Sequence, residues 1–172
     1  MKNSIKSLAW NYNTDRMVME YTERMYIPAI AGTTKLLEDN CSLAKNLSSF
    51  EEHMKNNWAQ VMLIAEKTEY NLKDYRSSSG QDIHLSVNAQ LGDIDPSNVE
   101  VEVYYGPFEN GKIVNAQALS MNCVEKLGDS LYRYAVSLKI EDGGEYAYTF
   151  RATPKHPDLV NRFDMGLIRW VV

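Results

Sequence analysis

Residues 99–105, VEVEVYY, indicate the fold class of this chain more clearly than any other stretch. Apolar side chains occupy every second position, and glutamates fill the two places between the valines. Successive side chains of a strand point to opposite faces, so this alternation predicts a half-buried strand. The valines would face a core, whereas Glu100 and Glu102 would be solvated charges on the outer face.

Six other segments after residue 58 show the same period of two, at 60–70, 82–91, 113–124, 131–140, 145–153 and 165–172. Sequences typical of turns or short linkers separate several of these segments, at 76–80, 92–96, 109–111 and 141–144. Seven short strands punctuated by turns predict an antiparallel immunoglobulin-like β-sandwich over residues 59–172.

The first third of the chain has a helical period instead. Asn13 offers a cap oxygen just before an apolar pattern in which Met17, Tyr21 and Met25 share one helix face. A segment of this size cannot bury several apolar faces by itself. We therefore predict that Met17, Tyr21 and Met25 contact a partner surface.

Pro28 divides this helical segment. It removes a backbone donor and disfavours helical geometry before it, so the first helix should break or kink near Tyr26. A second helix is predicted at about 29–45, and a third, capped by Ser48 or Ser49, runs through Trp58. The fold class is therefore α+β, with a helical segment at 1–58 followed by the sandwich at 59–172.

Length and charge limit the function classes. The chain has 172 residues and a formal net charge of −5, all of it carried by residues 59–172. Such a length holds one domain or two small ones. An acidic chain lacks the positive surface that follows a phosphate backbone, which excludes nucleic acid as a partner. No apolar run approaches the roughly 18 residues of a membrane helix, so we expect a cytoplasmic protein without membrane contact.

One motif imitates a phosphate-binding loop. Residues 106–113, GPFENGKI, fit the GxxxxGK pattern after a strand, but Ile113 stands where a Ser or Thr would hold Mg²⁺. The dipeptide Asn110-Gly111 is itself a hairpin signal. A strand, a turn and a second strand are therefore the favoured interpretation.

No pattern in the sequence predicts catalytic or metal chemistry, and no catalytic, cofactor-binding or metal-binding residue is assigned. The three histidines are scattered, and Cys41 and Cys123 lack ligand spacing and are expected to be buried. Most aromatic side chains of the β part alternate with aliphatic ones, as core residues do. Tyr104, on the glutamate face of its strand, and Phe108, in a predicted turn, are the candidate sugar contacts.

Three stretches carry a family resemblance. In their order along the chain, they resemble the carboxy-terminal region of α-glucan (glycogen/maltodextrin) phosphorylases of the bacterial and archaeal type. They are MKNSIKSLAWNYNTDRMVMEYTERMYIPA at 1–29, LGDIDPSNVEVEVYYGP at 91–107 and GGEYAYTFRATPKHPDLVNRFDMGLIRW at 143–170. Each motif is weak singly and specific as a set, and the resemblance covers essentially the whole chain.

The resemblance implies a pyridoxal-phosphate-dependent glycosyltransferase with two Rossmann-like domains, which releases glucose 1-phosphate from a terminal α-1,4 linkage. In the family those catalytic domains precede the matching segment. Nothing in this chain matches their Gly-rich loop or cofactor lysine. The resemblance therefore implies pyridoxal phosphate in the full-length family and no cofactor in this chain.

The sequence is thus interpreted as the carboxy-terminal piece of such a phosphorylase, either excised or a partial gene product, and inactive alone. Its first helix would pack on the catalytic domains of the parent phosphorylase through Met17, Tyr21 and Met25. Its sandwich would stabilise the enzyme or present it to α-glucan through Tyr104 and Phe108. The alternatives are a stand-alone carbohydrate-binding module and a protein-interaction domain that uses the helical stripe.

Overall fold

The computed structural model describes residues 12–65, 82–140 and 144–171. The chain divides into two compact units, Met1–Ser49 and Phe50–Val172. Helices come first and antiparallel strands follow, which confirms the α+β prediction. Within the described ranges, no helix combines the length and the apolar character needed to cross a bilayer.

The first unit is helical. Helix α1 (Thr14–Tyr21) begins where predicted, because the Asn13 side chain accepts a hydrogen bond of 2.7 Å from the Arg16 amide. A π-helical turn (Thr22–Tyr26) follows, in which the Ile27 amide donates to the Thr22 carbonyl. Helix α2 (Ile27–Asn57) then resumes directly. The distortion ends where Pro28 was expected to break or kink the helix, because its ring has no N–H to donate to the preceding turn.

Helix α2 contains an interruption that the sequence interpretation placed elsewhere. Residues 38–41 leave helical geometry, and Asp39, Asn40 and Cys41 take φ values of 47°, 57° and 59°. Asp and Asn tolerate this left-handed region better than most residues. The predicted second helix at 29–45 is therefore interrupted at 38–41, and Ser48 and Ser49 lie inside a helix instead of capping one.

The second unit contains nine strands in its described part. They are β1 (Met62–Ile64), β2 (Asp82–Gln90), β3 (Val99–Glu109), β4 (Lys112–Ile113), β5 (Gln117–Ser120), β6 (Asn122–Lys126), β7 (Leu131–Lys139), β8 (Tyr146–Pro154) and β9 (Arg169–Trp170). The first sheet has the order β1-β2-β7-β6. The second has the order β4-β3-β8-β9, with β5 also paired to β3. All of these pairings are antiparallel.

Strand β3 confirms the half-buried strand predicted at 99–105. Val99, Val101 and Val103 are buried, and each joins a cluster that draws side chains from both sheets. The end of α2 contributes Met54, and the 3₁₀ turn Trp58–Gln60 contributes Trp58, to the same cluster. The core of the second unit is therefore built from two sheets and the last helical turns before them.

The predicted strand at 113–124 is wrong as a single element. The structure divides it into the end of β4, then β5 in the second sheet and β6 in the first. Met121 lies between β5 and β6, is buried, and donates its amide to the Val101 carbonyl at 2.8 Å. The chain changes sheets at this residue, which alternation alone cannot reveal because it reports faces and not neighbours.

Other strand predictions hold in part. Strands β2, β7 and β8 occupy 82–91, 131–140 and 145–153 almost as predicted. The predicted strand at 165–172 is reduced to β9, because turns extend over residues 162–165. The predicted turn at 76–80, residues 66–70 of the first strand and most of the turn at 141–144 lie outside the described residues.

The motif at 106–113 is a hairpin. Phe108 pairs with Ile113 and Glu109 with Lys112, which leaves a two-residue turn at Asn110-Gly111. Their φ values of 50° and 80° suit the type I′ turn that the dipeptide favours. Phe108 therefore lies in β3, not in the predicted turn, because β3 continues four residues beyond the alternating stretch 99–105.

Gly92 combines a left-handed backbone conformation with a close neighbour. Its φ is +60°, and an added Cβ would stand 2.7 Å from the Cβ of Gln60. We expect Gly92→Ala to lower the free energy of unfolding by about 1–3 kcal/mol, through backbone strain and overpacking. Urea denaturation measures this change. Gly128→Ala is the control, since its Cβ would meet only Leu131 at 3.7 Å, and equal losses in both variants would contradict the argument.

Candidate functional site

Glu102 is buried on the outer face of the second sheet. Its side chain is only 4% exposed, and it accepts hydrogen bonds from Arg151 Nε at 2.8 Å and Arg162 Nη1 at 2.7 Å. The prediction that Glu102 is a solvated charge is therefore wrong. Arg151 faces it from the neighbouring strand β8, and Arg162 comes from the segment after β8. Arg162 lies 60 residues from Glu102 in sequence, so the sequence of β3 does not indicate that Glu102 has this partner.

Three aromatic rings surround Arg151. Its guanidinium carbon lies 5.1 Å from the ring centre of Tyr104, 5.3 Å from that of Phe163 and 5.7 Å from that of Trp170. The Tyr104 and Trp170 rings meet edge to face, with centres 5.5 Å apart. Cation–π contacts of this kind hold a charged side chain against rings. We call this group the arginine–aromatic cluster: Glu102, Tyr104, Arg151, Arg162, Phe163 and Trp170.

The cluster is partly open to solvent. Trp170 is 40% exposed and Phe163 39% exposed, although both are large apolar side chains. Tyr104 is half-buried beside them. The structure thus brings the predicted Tyr104 together with two aromatic residues that the sequence interpretation did not single out. Trp170 belongs to the aromatic residues of the β part, most of which were predicted to be core residues, and both residues lie in the motif at 143–170 that carries the family resemblance.

Phe108 is not part of this cluster. It lies four residues beyond Tyr104 on the same strand, which corresponds to about 13 Å along β3. Strand alternation places both side chains on the outer face, and Phe108 is half-buried. The two predicted sugar contacts therefore share one face of the sheet without touching each other.

Glu100, the other glutamate of β3, is paired with Lys155 at 2.5 Å. Burial raises the pKa of Glu100, but hydrogen bonds from Lys155 and Ser120, with the charges of Lys155 and Arg162, outweigh it and lower the pKa overall. A carboxyl with a lowered pKa stabilises the fold above its unfolded-state pKa. That contribution is lost as pH falls through the lowered value.

We expect Lys155→Met to raise the pKa of Glu100, because burial would then act with less opposition. A carboxyl-detected NMR titration of Glu100 measures this directly. The pKa of Glu100 in the wild-type protein should lie below the ordinary value of a glutamate. In the variant, the pKa of Glu100 should be higher than in the wild-type protein. Lys112→Met, which changes an exposed lysine in the hairpin, is the control; equal titration of Glu100 in all three proteins would contradict the assignment.

Comparison with protein families identifies the β part of the chain. Residues 58–172 match the family described as the glycogen phosphorylase C-terminal domain. The chain belongs to this family. No solved structure matches it.

Relatives extend the similarity to the helical part. The chain is 30% identical over 99% of its length to a maltodextrin phosphorylase of Thermococcus litoralis, covering 20% of that protein. It is 22% identical over 98% of its length to glycogen phosphorylases of Mycobacterium bovis and Mycobacterium tuberculosis, covering 19% of each. This phosphorylase C-terminal region therefore spans about a fifth of the length of the relatives it matches.

The predicted helical stripe lies in the first unit of this phosphorylase region. Met17, Tyr21 and Met25 are 47%, 46% and 57% exposed. Neighbouring apolar side chains that the sequence interpretation did not name, among them Tyr26 and Ile30, are also exposed. These residues precede the part matched by the family model, yet they lie within the similarity to the full-length relatives.

The described part of the phosphorylase region holds no group of three His, Cys, Asp or Glu side chains arranged for a metal ion. Each histidine has its own neighbour: His53 contacts Asn57, His84 contacts Ser137, and the His156 ring meets the Phe50 ring at a tilt of 49°. Both cysteines are free. Cys123 is exposed and Cys41 half-buried, so the expectation that both are buried is wrong; Cys123 lies on the edge strand β6.

Proposed function

We propose that this chain is the C-terminal accessory part of an α-glucan phosphorylase and carries no catalytic site of its own. One observation carries the proposal: residues 58–172 match a phosphorylase C-terminal domain, while the whole chain covers only a fifth of its relatives. The phosphorolysis of α-1,4-glucan to glucose 1-phosphate would then be performed by the other domains. The division at 1–58 and 59–172 is part of this proposal, and the start of the family match at residue 58 supports it.

The two sheets are proposed to form an immunoglobulin-like sandwich. The order β1-β2-β7-β6 corresponds to strands A, B, E and D of an immunoglobulin constant domain, and β3-β8-β9 to strands C, F and G. The shared core cluster supports the same arrangement, since both sheets contribute buried side chains to it. A sandwich of this kind would be a rigid appendage of the parent enzyme.

Pyridoxal phosphate, the cofactor implied by the family resemblance, does not fit the described part of this chain. A lysine that forms a Schiff base with it has to lie in a pocket that shields the linkage from water. Every lysine in the described ranges is exposed. We propose that the chain binds no cofactor, and borohydride reduction with pyridoxal phosphate, followed by mass spectrometry, should find no single preferred lysine.

The helical stripe is proposed to dock on the catalytic domains of the parent phosphorylase. Met17, Tyr21 and Met25 are about half exposed, and exposed apolar groups of this size mark interaction surfaces. The relatives contain about four-fifths of their length beyond the aligned part, which is where such a partner would lie. We also propose a cytoplasmic enzyme, because free cysteines suit a reducing compartment.

Binding of the chain to the rest of a phosphorylase tests this proposal. The probe is the part of the Thermococcus litoralis enzyme outside the aligned segment, produced separately and titrated with the full 172-residue chain. We expect association that Tyr21→Asp weakens by at least about tenfold, because it buries a charge in an apolar contact. Val160→Asp, at a side chain that is 99% exposed, should not weaken it. Absence of association, or equal affinity of the two variants, would contradict docking through the stripe.

A second candidate function is α-glucan contact by the outer face of the second sheet. The exposed Trp170 beside Tyr104 favours it, and Phe108 shares that face. Affinity electrophoresis in gels that contain glycogen should show retardation that Tyr104→Ala or Phe108→Ala weakens about fivefold, through loss of one stacking ring. Unchanged mobility in glycogen would contradict it. Self-association lost in Met17→Asp would instead favour the alternative of a protein-interaction domain.

A further inference from the structure

Arg151 has more N–H donors than its hydrogen bond to Glu102 uses. Its Nε atom donates to Glu102, and among the residues that the structure describes no acceptor bonds its two terminal nitrogens. Neither nitrogen is fully buried, although the Arg151 side chain as a whole is only 13% exposed. A guanidinium carries five N–H donors in one plane, of which the Glu102 contact uses one. The other donors are available to a ligand.

The surroundings of these donors combine apolar rings with one remaining positive charge, because two arginines share the single carboxylate of Glu102. Phe163 and Trp170 flank the guanidinium and leave about two-fifths of their surface exposed. Glu102 is a buried carboxylate bonded to both arginines of the cluster. A ligand that fits such a surface has an apolar face for the rings and neutral oxygen acceptors at its rim for the N–H groups. A pyranose ring, with C–H groups on its faces and hydroxyl groups around its edge, has this chemistry.

We propose that Arg151, Phe163 and Trp170 form a subsite for a segment of α-glucan beside Tyr104. This inference rests on the proposed glucan contact and names the residues that would provide it. Trp170 and Phe163 would stack on sugar rings, and the terminal nitrogens of Arg151 would donate to hydroxyl oxygens.

Glu102 acts here as a positioning residue. It accepts from Arg151 with one carboxylate oxygen and from Arg162 with the other. The first bond fixes the orientation of the guanidinium, and the second holds the segment that carries Phe163. The subsite therefore depends on three stretches of chain that meet at one buried carboxylate.

Affinity electrophoresis of the full chain in glycogen gels tests the subsite. We expect Trp170→Ala and Arg151→Lys each to weaken retardation about tenfold, through loss of a stacking ring or of planar donors. Trp170→Phe, which keeps a ring, should retain most of it. Val160→Ala is the control, because its side chain is 99% exposed and lies outside the cluster. Thermal denaturation of each variant shows whether it is folded. If Arg151→Lys does not fold, Phe163→Ala tests the subsite at a second, exposed position.

Competition separates a sugar subsite from an anion site. Added maltotriose should restore free mobility to the wild-type chain, whereas inorganic phosphate at the same concentration should not. Retardation that survives in Trp170→Ala, Phe163→Ala and Arg151→Lys would overturn the subsite and leave the glucan proposal standing. Restoration by phosphate would also overturn it. A wild-type chain that migrates freely in glycogen would overturn both the subsite and the proposed glucan contact. It would not contradict the proposed accessory role.

Discussion

Replacement of Glu102 by Gln should destabilise the second unit by about 3 kcal/mol, because removal of one partner from a buried ion pair leaves the others uncompensated. Glu102 is 4% exposed, and its partner Arg151 is 13% exposed, so water cannot replace the lost contact fully. The glutamine keeps the shape of the side chain and removes its charge. Urea denaturation of the full chain, followed by tryptophan fluorescence, measures the difference.

The matched control is Glu125→Gln. Glu125 forms the same kind of pair, with Arg133 Nη1 at 2.9 Å, but its side chain is 54% exposed. Exposed ion pairs contribute about 0–1 kcal/mol, so this variant should stay close to the wild-type protein. A combined Glu102→Leu, Arg151→Met, Arg162→Met variant should recover part of the loss, since it leaves no unpaired charge. Equal stability of Glu102→Gln and Glu125→Gln would show that burial of the Glu102–Arg151 ion pair does not add to its contribution to stability.

Truncation of Met54 in the core of the second unit should have a comparable effect. Met54 is 0% exposed and lies in the cluster that both sheets share. Its replacement by Ala removes buried methylene and sulfur atoms and leaves a cavity, which costs about 2–5 kcal/mol. We therefore expect Met54→Ala to shift the urea midpoint of the β unit strongly, although the residue belongs to a helix.

Met25→Ala provides the comparison for Met54. The same substitution is made in a helix, but Met25 is 57% exposed, so the free energy of unfolding should change by less than about 0.5 kcal/mol. If Met54→Ala behaved like Met25→Ala, the end of α2 would not be part of the core of the second unit.

Local patterns predicted several elements of this fold correctly. The third predicted helix runs through Trp58, and its side chains Phe50, Met54 and Trp58, each four residues from the next, all contact the core. The Asn110-Gly111 dipeptide indicated its hairpin, because the turn depends on two adjacent backbone conformations. Such features are determined by residues close in sequence.

Features that depend on distant residues were predicted poorly. The burial of Glu102 requires Arg162, which lies 60 residues further along the chain. The cluster around Tyr104 requires Trp170, and the change of sheet at Met121 requires a hydrogen bond to Val101. Period-two alternation assigns a residue to a face but does not say what covers that face.

The interruption of α2 at residues 38–41 has a different cause. It combines an Asp-Asn pair, which tolerates left-handed geometry, with a cysteine that has no such preference. The Asn40 carbonyl at this break accepts a hydrogen bond of 2.9 Å from Lys45 Nζ. A sequence rule for Asp-Asn would have suggested the position of the interruption. It would not have predicted that three successive residues adopt left-handed geometry.

We infer that this chain serves a phosphorylase without performing its chemistry. The most direct measurement is glucose 1-phosphate release from maltodextrin and inorganic phosphate by the purified 172-residue chain, with the Thermococcus litoralis enzyme as a positive control. We predict no release above the protein-free blank, with or without added pyridoxal phosphate. Release that rises in proportion to the concentration of this chain would contradict the account.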